Sequence, residues 1–159
     1  FYKVNPKGYV PLLVLDDGTS ISEANVILQY LADQKPGTLA PAFGTLARWK
    51  LMELLGFIAT EVHKGFGVLW NPATPAEVRA AAIDRLGTRF DLLAGTLAKQ
   101  SYLTGEAFSI ADAYLFVLLN WTKIHKIDLA RWPALTAFQA RVAARPAVQA
   151  TLKAEGLSK

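Results

Sequence analysis

Apolar and polar positions divide the chain into a short strand-bearing front and a long helical remainder. Residues 11–15 (Pro-Leu-Leu-Val-Leu) form an apolar run between turn formers, which suits a buried strand. Asp17-Gly18 then predicts a two-residue hairpin turn whose central positions both need positive φ. After a second short strand, Ser22 stands where a helix N-cap belongs. Val26, Ile27, Tyr30 and Leu31 follow at helical spacing. Residues 33–37 (Asp-Gln-Lys-Pro-Gly) stop that helix, and 38–44 read as a linker.

From residue 45 onward the period is helical throughout. Leu46, Trp49, Met52, Leu55 or Phe57, Ile58 and Val62 recur at three- and four-residue steps, predicting a helix over 45–66. Asn71-Pro72 and Thr74-Pro75 break it. Thr74 is the expected N-cap of the next helix, with Pro75 at its first position and Glu77 in its first turn. Ile83, Leu86, Phe90, Leu93 and Leu97 then mark the seam of two helices packed side by side. Ser109 and Asp112 have the spacing of a capping box, with Asp in place of the usual Glu or Gln. The helix they open is apolar on nearly every side between 113 and 119 and reads as the buried axis of a bundle. Further helices begin at Pro133, with Leu135, Phe138 and Val142 inward, and at Pro146.

Composition narrows the function classes. Charged residues are 19% of the chain, below the roughly 25% typical of globular domains, so burial is extensive. The net charge of +4 comes from scattered Lys and Arg without a dense basic run, which speaks against nucleic acid as a partner. The chain contains no cysteine, which excludes disulfides, cysteine-bound zinc and a thiol nucleophile within it. Its two histidines have no acidic partner at ligand spacing, so no metal is expected. The apolar run near 110–119 is broken by Asp112 and too short to span a bilayer. The expectation is a cytoplasmic protein with no membrane partner.

Candidate chemistry gathers at the front. A strand-opening proline cannot donate to a ladder, so Val10 adjoins an interrupted edge. A cis Val10–Pro11 bond would leave the N–H and C=O of Val10 free to pair with an extended peptide-like ligand. The helix start at Glu23 supplies unpaired N–H groups and a positive dipole end, which suit a carboxylate. These features also fit an ordinary hairpin feeding a helix. Glu23 likewise fits a residue favoured by the dipole alone.

The ordered set Asn5-Pro6-Lys7-Gly8-Tyr9-Val10-Pro11, Leu15-Asp16-Asp17-Gly18 and Ser22-Glu23-Ala24 resembles the glutathione-binding half of glutathione transferases. The stretch from Ile58 to Phe66 is similar to the bacterial beta class, and Phe108 to Leu115 to the family's buried C-terminal helix start. The resemblance implies a mainly α protein: a partial thioredoxin-like α/β unit (1–37), a linker (38–44) and an all-helical C-terminal domain (45–159). It implies glutathione as co-substrate, a small electrophilic or mixed-disulfide substrate, and a homodimer.

By the same resemblance, Val10 and Pro11 are the backbone pairing site and its cis-proline. Glu23 meets the ammonium of the γ-glutamyl group, and Ala24 its carboxylate. Relatives usually carry Ser at the latter position, so only the backbone N–H remains there. His63 and Lys64 face the thiol and the glycine carboxylate, and His63 is a possible catalytic group. Without the resemblance that pair reads as a solvated face or a C-terminal dipole partner. Phe66 and Trp121 are candidates for an apolar co-substrate pocket, although aromatics at helical spacing also read as core. Ser109 and Asp112 are a structural cap.

One departure qualifies the resemblance. The family's first strand, helix and strand, which carry the catalytic Cys, Ser or Tyr, have no counterpart in the sequence. The expectation is that the sequence is part of a longer chain that holds this residue. The rival expectation is a non-catalytic module that uses the same fold for ligand or protein binding.

Overall fold

The computed structural model describes residues 1–157. Two strands, β1 (Leu12–Val14) and β2 (Ser20–Ser22), pair antiparallel with Leu12 opposite Ser22 and Val14 opposite Ser20. The connection differs from the predicted two-residue turn. Leu15 N–H donates to Thr19 C=O, and Gly18 N–H donates to Leu15 C=O, so the loop is Asp16-Asp17-Gly18. Only Gly18 is left-handed (φ 86°), as a type I turn with a glycine bulge requires. Asp17 adds to the turn by accepting the Thr19 N–H at 2.8 Å.

Helix α1 (Ala24–Asp33) follows, and its N-cap is Glu23 rather than the predicted Ser22. Its far end is tied to the helical region by Arg48. That guanidinium, 2% exposed, donates to both carboxylate oxygens of Asp33 at 2.7 and 2.8 Å. A buried cation is tolerable only when paired in this way.

The helix predicted over 45–66 is longer and changes its winding. It begins as α2 (Leu46–Phe57), whose N-cap Thr45 accepts the Arg48 N–H through its hydroxyl. It widens to a π-helix over Ile58–His63 and tightens to a 3₁₀-helix over Lys64–Trp70. The buried face runs through Arg48, Leu51, Leu55, Ile58, Val62 and Phe66, whereas Leu46 and Trp49 are exposed. The predicted phase was therefore off at the start of the helix. Arg48, not an aromatic, turns inward there because Asp33 offers it a carboxylate.

Helix α3 (Ala76–Leu97) buries Leu86, Phe90, Leu93 and Leu97 against its neighbours. Its N-cap is Pro75, whose carbonyl accepts the Arg79 N–H. Thr74, predicted as the cap, instead donates its hydroxyl to Val68 C=O at 2.7 Å, satisfying a carbonyl near the end of the 3₁₀ stretch. Helix α4 (Ile110–Ile124) is the buried axis. Ile110, Ala111, Tyr114, Leu115, Phe116, Leu118 and Leu119 all lie inside. It packs against α1, α2, the π segment and α5 (Pro133–Ala143). Leu135, Phe138 and Val142 of α5 are fully buried, and α6 (Pro146–Ala154) completes the bundle.

Asp112 fastens the start of α4. One carboxylate oxygen accepts the Ser109 N–H and hydroxyl, both at 2.8 Å, and the other accepts the Leu103 N–H at 2.8 Å. The cap thus also holds the preceding loop, a contact the local spacing does not reveal. Burial pushes the Asp112 carboxyl above its ordinary range, while these hydrogen bonds act in the opposite direction.

Candidate active site

A cavity of about 450 Å³ lies where the hairpin unit meets α4 and the π segment. It is lined from the front by Lys7, Val10, Pro11, Glu23 and Ala24, and from the helical region by His63, Lys64 and Tyr114. The fold therefore brings together Val10, Pro11, Glu23, Ala24, His63 and Lys64, residues from three separate stretches of the chain.

The front wall is backbone-rich. The Val10–Pro11 peptide is cis, and β1 starts only at Leu12. Neither the N–H nor the C=O of Val10 has a backbone partner among the described residues. Asn5, which is buried, anchors this loop through its amide, which donates to Tyr9 C=O at 2.6 Å.

Glu23 stands at φ 74°, a left-handed conformation that a residue with a Cβ adopts only at a cost. No side chain caps α1. Its first-turn N–H groups, those of Ala24 and Asn25, thus stay without intrahelical acceptors beside the cavity. The Glu23 side chain is 65% exposed, with the Lys7 ammonium 3.6 Å away. A carboxylate aimed into a cavity beside free N–H donors can receive a zwitterion: its ammonium on Glu23, its carboxylate on the helix start.

The opposite wall depends on the winding change. The π segment and the 3₁₀ turn after it keep Ile58, Val62 and Phe66 in the core while Ala59, His63 and Lys64 face the cavity. Widened turns of this kind are frequent at functional sites. His63 Nδ1 lies 2.6 Å from the Tyr114 hydroxyl oxygen. Its ring also meets Trp121 edge-on at 5.0 Å between centroids. Burial, helped by the Lys64 charge, holds the His63 imidazole below its ordinary value, while Glu23 pulls it upward. Burial pushes the Tyr114 phenol up to about 12, with the Glu23 charge adding to it.

Of the two aromatics expected in a co-substrate pocket, Phe66 is corrected. Phe66 is fully buried, packed on Phe90 and Trp121, and cannot line a co-substrate pocket. Trp121 is half-buried and does not line the cavity. It backs His63 from behind and stacks edge-on with Trp70. Both sit on the inner side of their helices, where aromatic bulk fills core space. His125 lies against Trp70 and Phe66, with its Nε2 buried and without a hydrogen-bond partner.

Sequence reasoning missed Lys7, Ser22, Asn25 and Tyr114 as lining residues. Lys7 was legible as a charged residue one step before Gly8 in a loop. Tyr114 was not, because it lies within a helix apolar on nearly all sides. Among the described residues no group of acidic, His or Cys side chains is arranged to hold a metal ion, and no helix is long and apolar enough to cross a membrane.

Comparison with known proteins identifies the family. The profile described as "Glutathione S-transferase, C-terminal domain" matches residues 57–146, and "Glutathione S-transferase, N-terminal domain" matches residues 1–34. Glutathione S-transferase GstA of Escherichia coli O157:H7 is 43% identical over 99% of this chain and 79% of its own. A sphingomonad glutathione S-transferase solved in complex with glutathione is 46% identical. It has a TM-score of 0.94, covering 99% of this chain and 79% of that one. The bacterial beta class glutathione S-transferase of Sphingomonas chungbukensis is 43% identical, also with a TM-score of 0.94 and the same coverage. By profile, relatives and fold, this chain belongs to the glutathione S-transferase family, with its likeness falling among bacterial beta-class members.

Proposed function

We propose that the protein is a glutathione transferase that directs the glutathione thiolate onto an electrophilic carbon or a mixed disulfide. The observation that carries this reading is the single cavity shared by a free backbone edge at Val10, a strained acidic residue at Glu23 and the His63–Lys64 pair. Val10 would pair with the peptide backbone of glutathione through its N–H and C=O. Glu23 would take the γ-glutamyl ammonium, and the Ala24 N–H the neighbouring carboxylate. His63 would meet the sulfur and Lys64 the glycine carboxylate. In conjugation a sulfur–carbon bond forms while the leaving group departs with its electron pair; the thiol proton is lost beforehand.

The same reading divides the protein into a thioredoxin-like unit over 1–37, a linker over 38–44 and a helical domain over 45–159. It also places a cytoplasmic homodimer in solution. Phe43 and Trp49, both exposed and with ring centroids 6.3 Å apart, support the dimer as adjoining apolar surface.

A second reading, a non-catalytic binding module, draws on two observations. No cysteine is present in the 159 residues, and Ala24 lacks the hydroxyl usual at that position in the family. One experiment separates the readings: calorimetric titration of the protein with glutathione beside turnover of 1-chloro-2,4-dinitrobenzene. Binding with turnover supports the transferase, and binding without turnover supports the module. Absence of binding at millimolar glutathione overturns the transferase.

A further inference from the structure

We propose that Tyr114 is a positioning residue for His63: its hydroxyl donates to His63 Nδ1, holding the imidazole proton on Nε2, the nitrogen left for the thiolate. The inference rests on reading the cavity as a glutathione site. Its structural part stands on hydrogen-bond accounting.

A neutral imidazole has one N–H donor and one acceptor nitrogen, and a phenol has one proton to give. The two groups meet at 2.6 Å, and the Tyr114 hydroxyl has no other partner among the described residues. Were Nδ1–H the donor, the phenolic proton would have no acceptor among the described residues, on a side chain only 7% exposed. That arrangement leaves a largely buried donor without a protein partner. With Tyr114 as donor, both groups are satisfied. Nε2–H then remains unpaired among the described residues, and it is not sealed from solvent.

A flip of the ring would put Cδ2 in place of Nδ1 at the Tyr114 hydroxyl and forfeit the hydrogen bond. Tyr114 meets it edge-on from α4 at 5.7 Å between centroids, and Trp121 does so at 5.0 Å. The charged and titratable groups facing it are Lys64 on its own helix, Glu23 at the head of α1, Lys7 from the front loop and Tyr114 itself. Burial keeps the imidazole neutral and the phenol protonated, which the accounting requires.

The chemical consequence is a change of role. An Nε2–H imidazole is a hydrogen-bond donor toward sulfur. His63 then stabilises the thiolate after deprotonation and does not remove the proton itself.

The test begins without glutathione. The chain contains two histidines, so ¹⁵N-histidine labelling gives two ring systems, and His125→Gln assigns them. The expected result is His63 in a single form, protonated at Nε2, and a mixture of both tautomers in Tyr114→Phe. A wild-type His63 protonated at Nδ1 overturns the proposal, and this measurement needs no Tyr114 variant to fold.

With glutathione bound, Tyr114→Phe should change how the bound thiol ionises. It should raise the apparent pKa of the bound thiol by about one pH unit, as loss of one charge-assisted hydrogen bond would. An unchanged thiol pKa beside an altered tautomer overturns the positioning role. If wild type does not bind glutathione, the functional reading fails while the tautomer result still decides the structural one.

Discussion

Two carboxylates stand at the starts of two helices, and the chain treats them in opposite ways. Asp112, in the first turn of α4, is fully buried and accepts three hydrogen bonds at 2.8 Å. Glu23, at the N-cap of α1, is mostly exposed, left-handed in its backbone and 3.6 Å from the nearest ammonium. Asp112 satisfies its neighbours, whereas Glu23 leaves the N–H groups beside it unclaimed. A helix start closed on itself stabilises the fold. One kept open at the cost of backbone strain is available to a ligand.

The contrast can be tested by breaking each side. Asp112→Ala orphans the buried Leu103 and Ser109 N–H groups and should lower unfolding free energy by about 3 kcal/mol, read by urea denaturation. Glutathione affinity of the folded fraction should stay unchanged. A loss below about 1 kcal/mol would mean that the network contributes no more than an ordinary cap.

Glu23→Ala should do the reverse. Losing a charged partner for the ammonium should weaken glutathione binding about tenfold, while stability stays within about 0.5 kcal/mol of wild type. Calorimetric titration and urea denaturation of the same sample check both halves.

Glu23→Gly sharpens the point further. Glycine adopts φ near +74° without a Cβ clash, so this variant should be more stable than Glu23→Ala by about 1 kcal/mol. It should bind glutathione as weakly as Glu23→Ala does. Equal stability of the two variants would show that position 23 carries no strain.

The smallest effect concerns pH. Burial holds both His63 and His125 below their ordinary value of 6.5. Just below pH 6.5 the unfolded chain therefore binds more protons than the folded one, so stability falls as pH falls through that point. At pH values above 6.5 the histidine contribution is flat. Replacing both with glutamine should flatten the slope between pH 6.5 and 5, as measured by denaturation midpoints.

How much of this was legible in the sequence depended on the range of each interaction. The Ser109–Asp112 cap is a three-residue spacing, and the seam from Leu86 to Leu97 a repeated step; both are local signals. The Asp112–Leu103 bond is not, because its donor lies in the preceding loop. The family likeness carried the front of the site, from Val10 to Ala24. Neither likeness nor period revealed Tyr114, whose hydroxyl partner is 51 residues away in the chain. The phase of the 46–70 helix was misread at Leu46 and Trp49 for the same reason. What sets it is Arg48 reaching Asp33, and the π segment that follows.

By itself, then, the sequence determined the elements and their order: a hairpin closed by a glycine, a helix after it, and a bundle about an apolar axis. It also determined the chemistry available, with no cysteine, two histidines and acidic residues at three helix starts. Such features follow from backbone conformational preference and side-chain periodicity, which act over a few residues. Only the tertiary structure decided which face of the long helix turned inward, which carboxylate became a sealed cap, and which stayed open to a cavity. Those outcomes rest on hydrogen bonds and burial between residues far apart in the chain, and such partners exist only once the chain has packed.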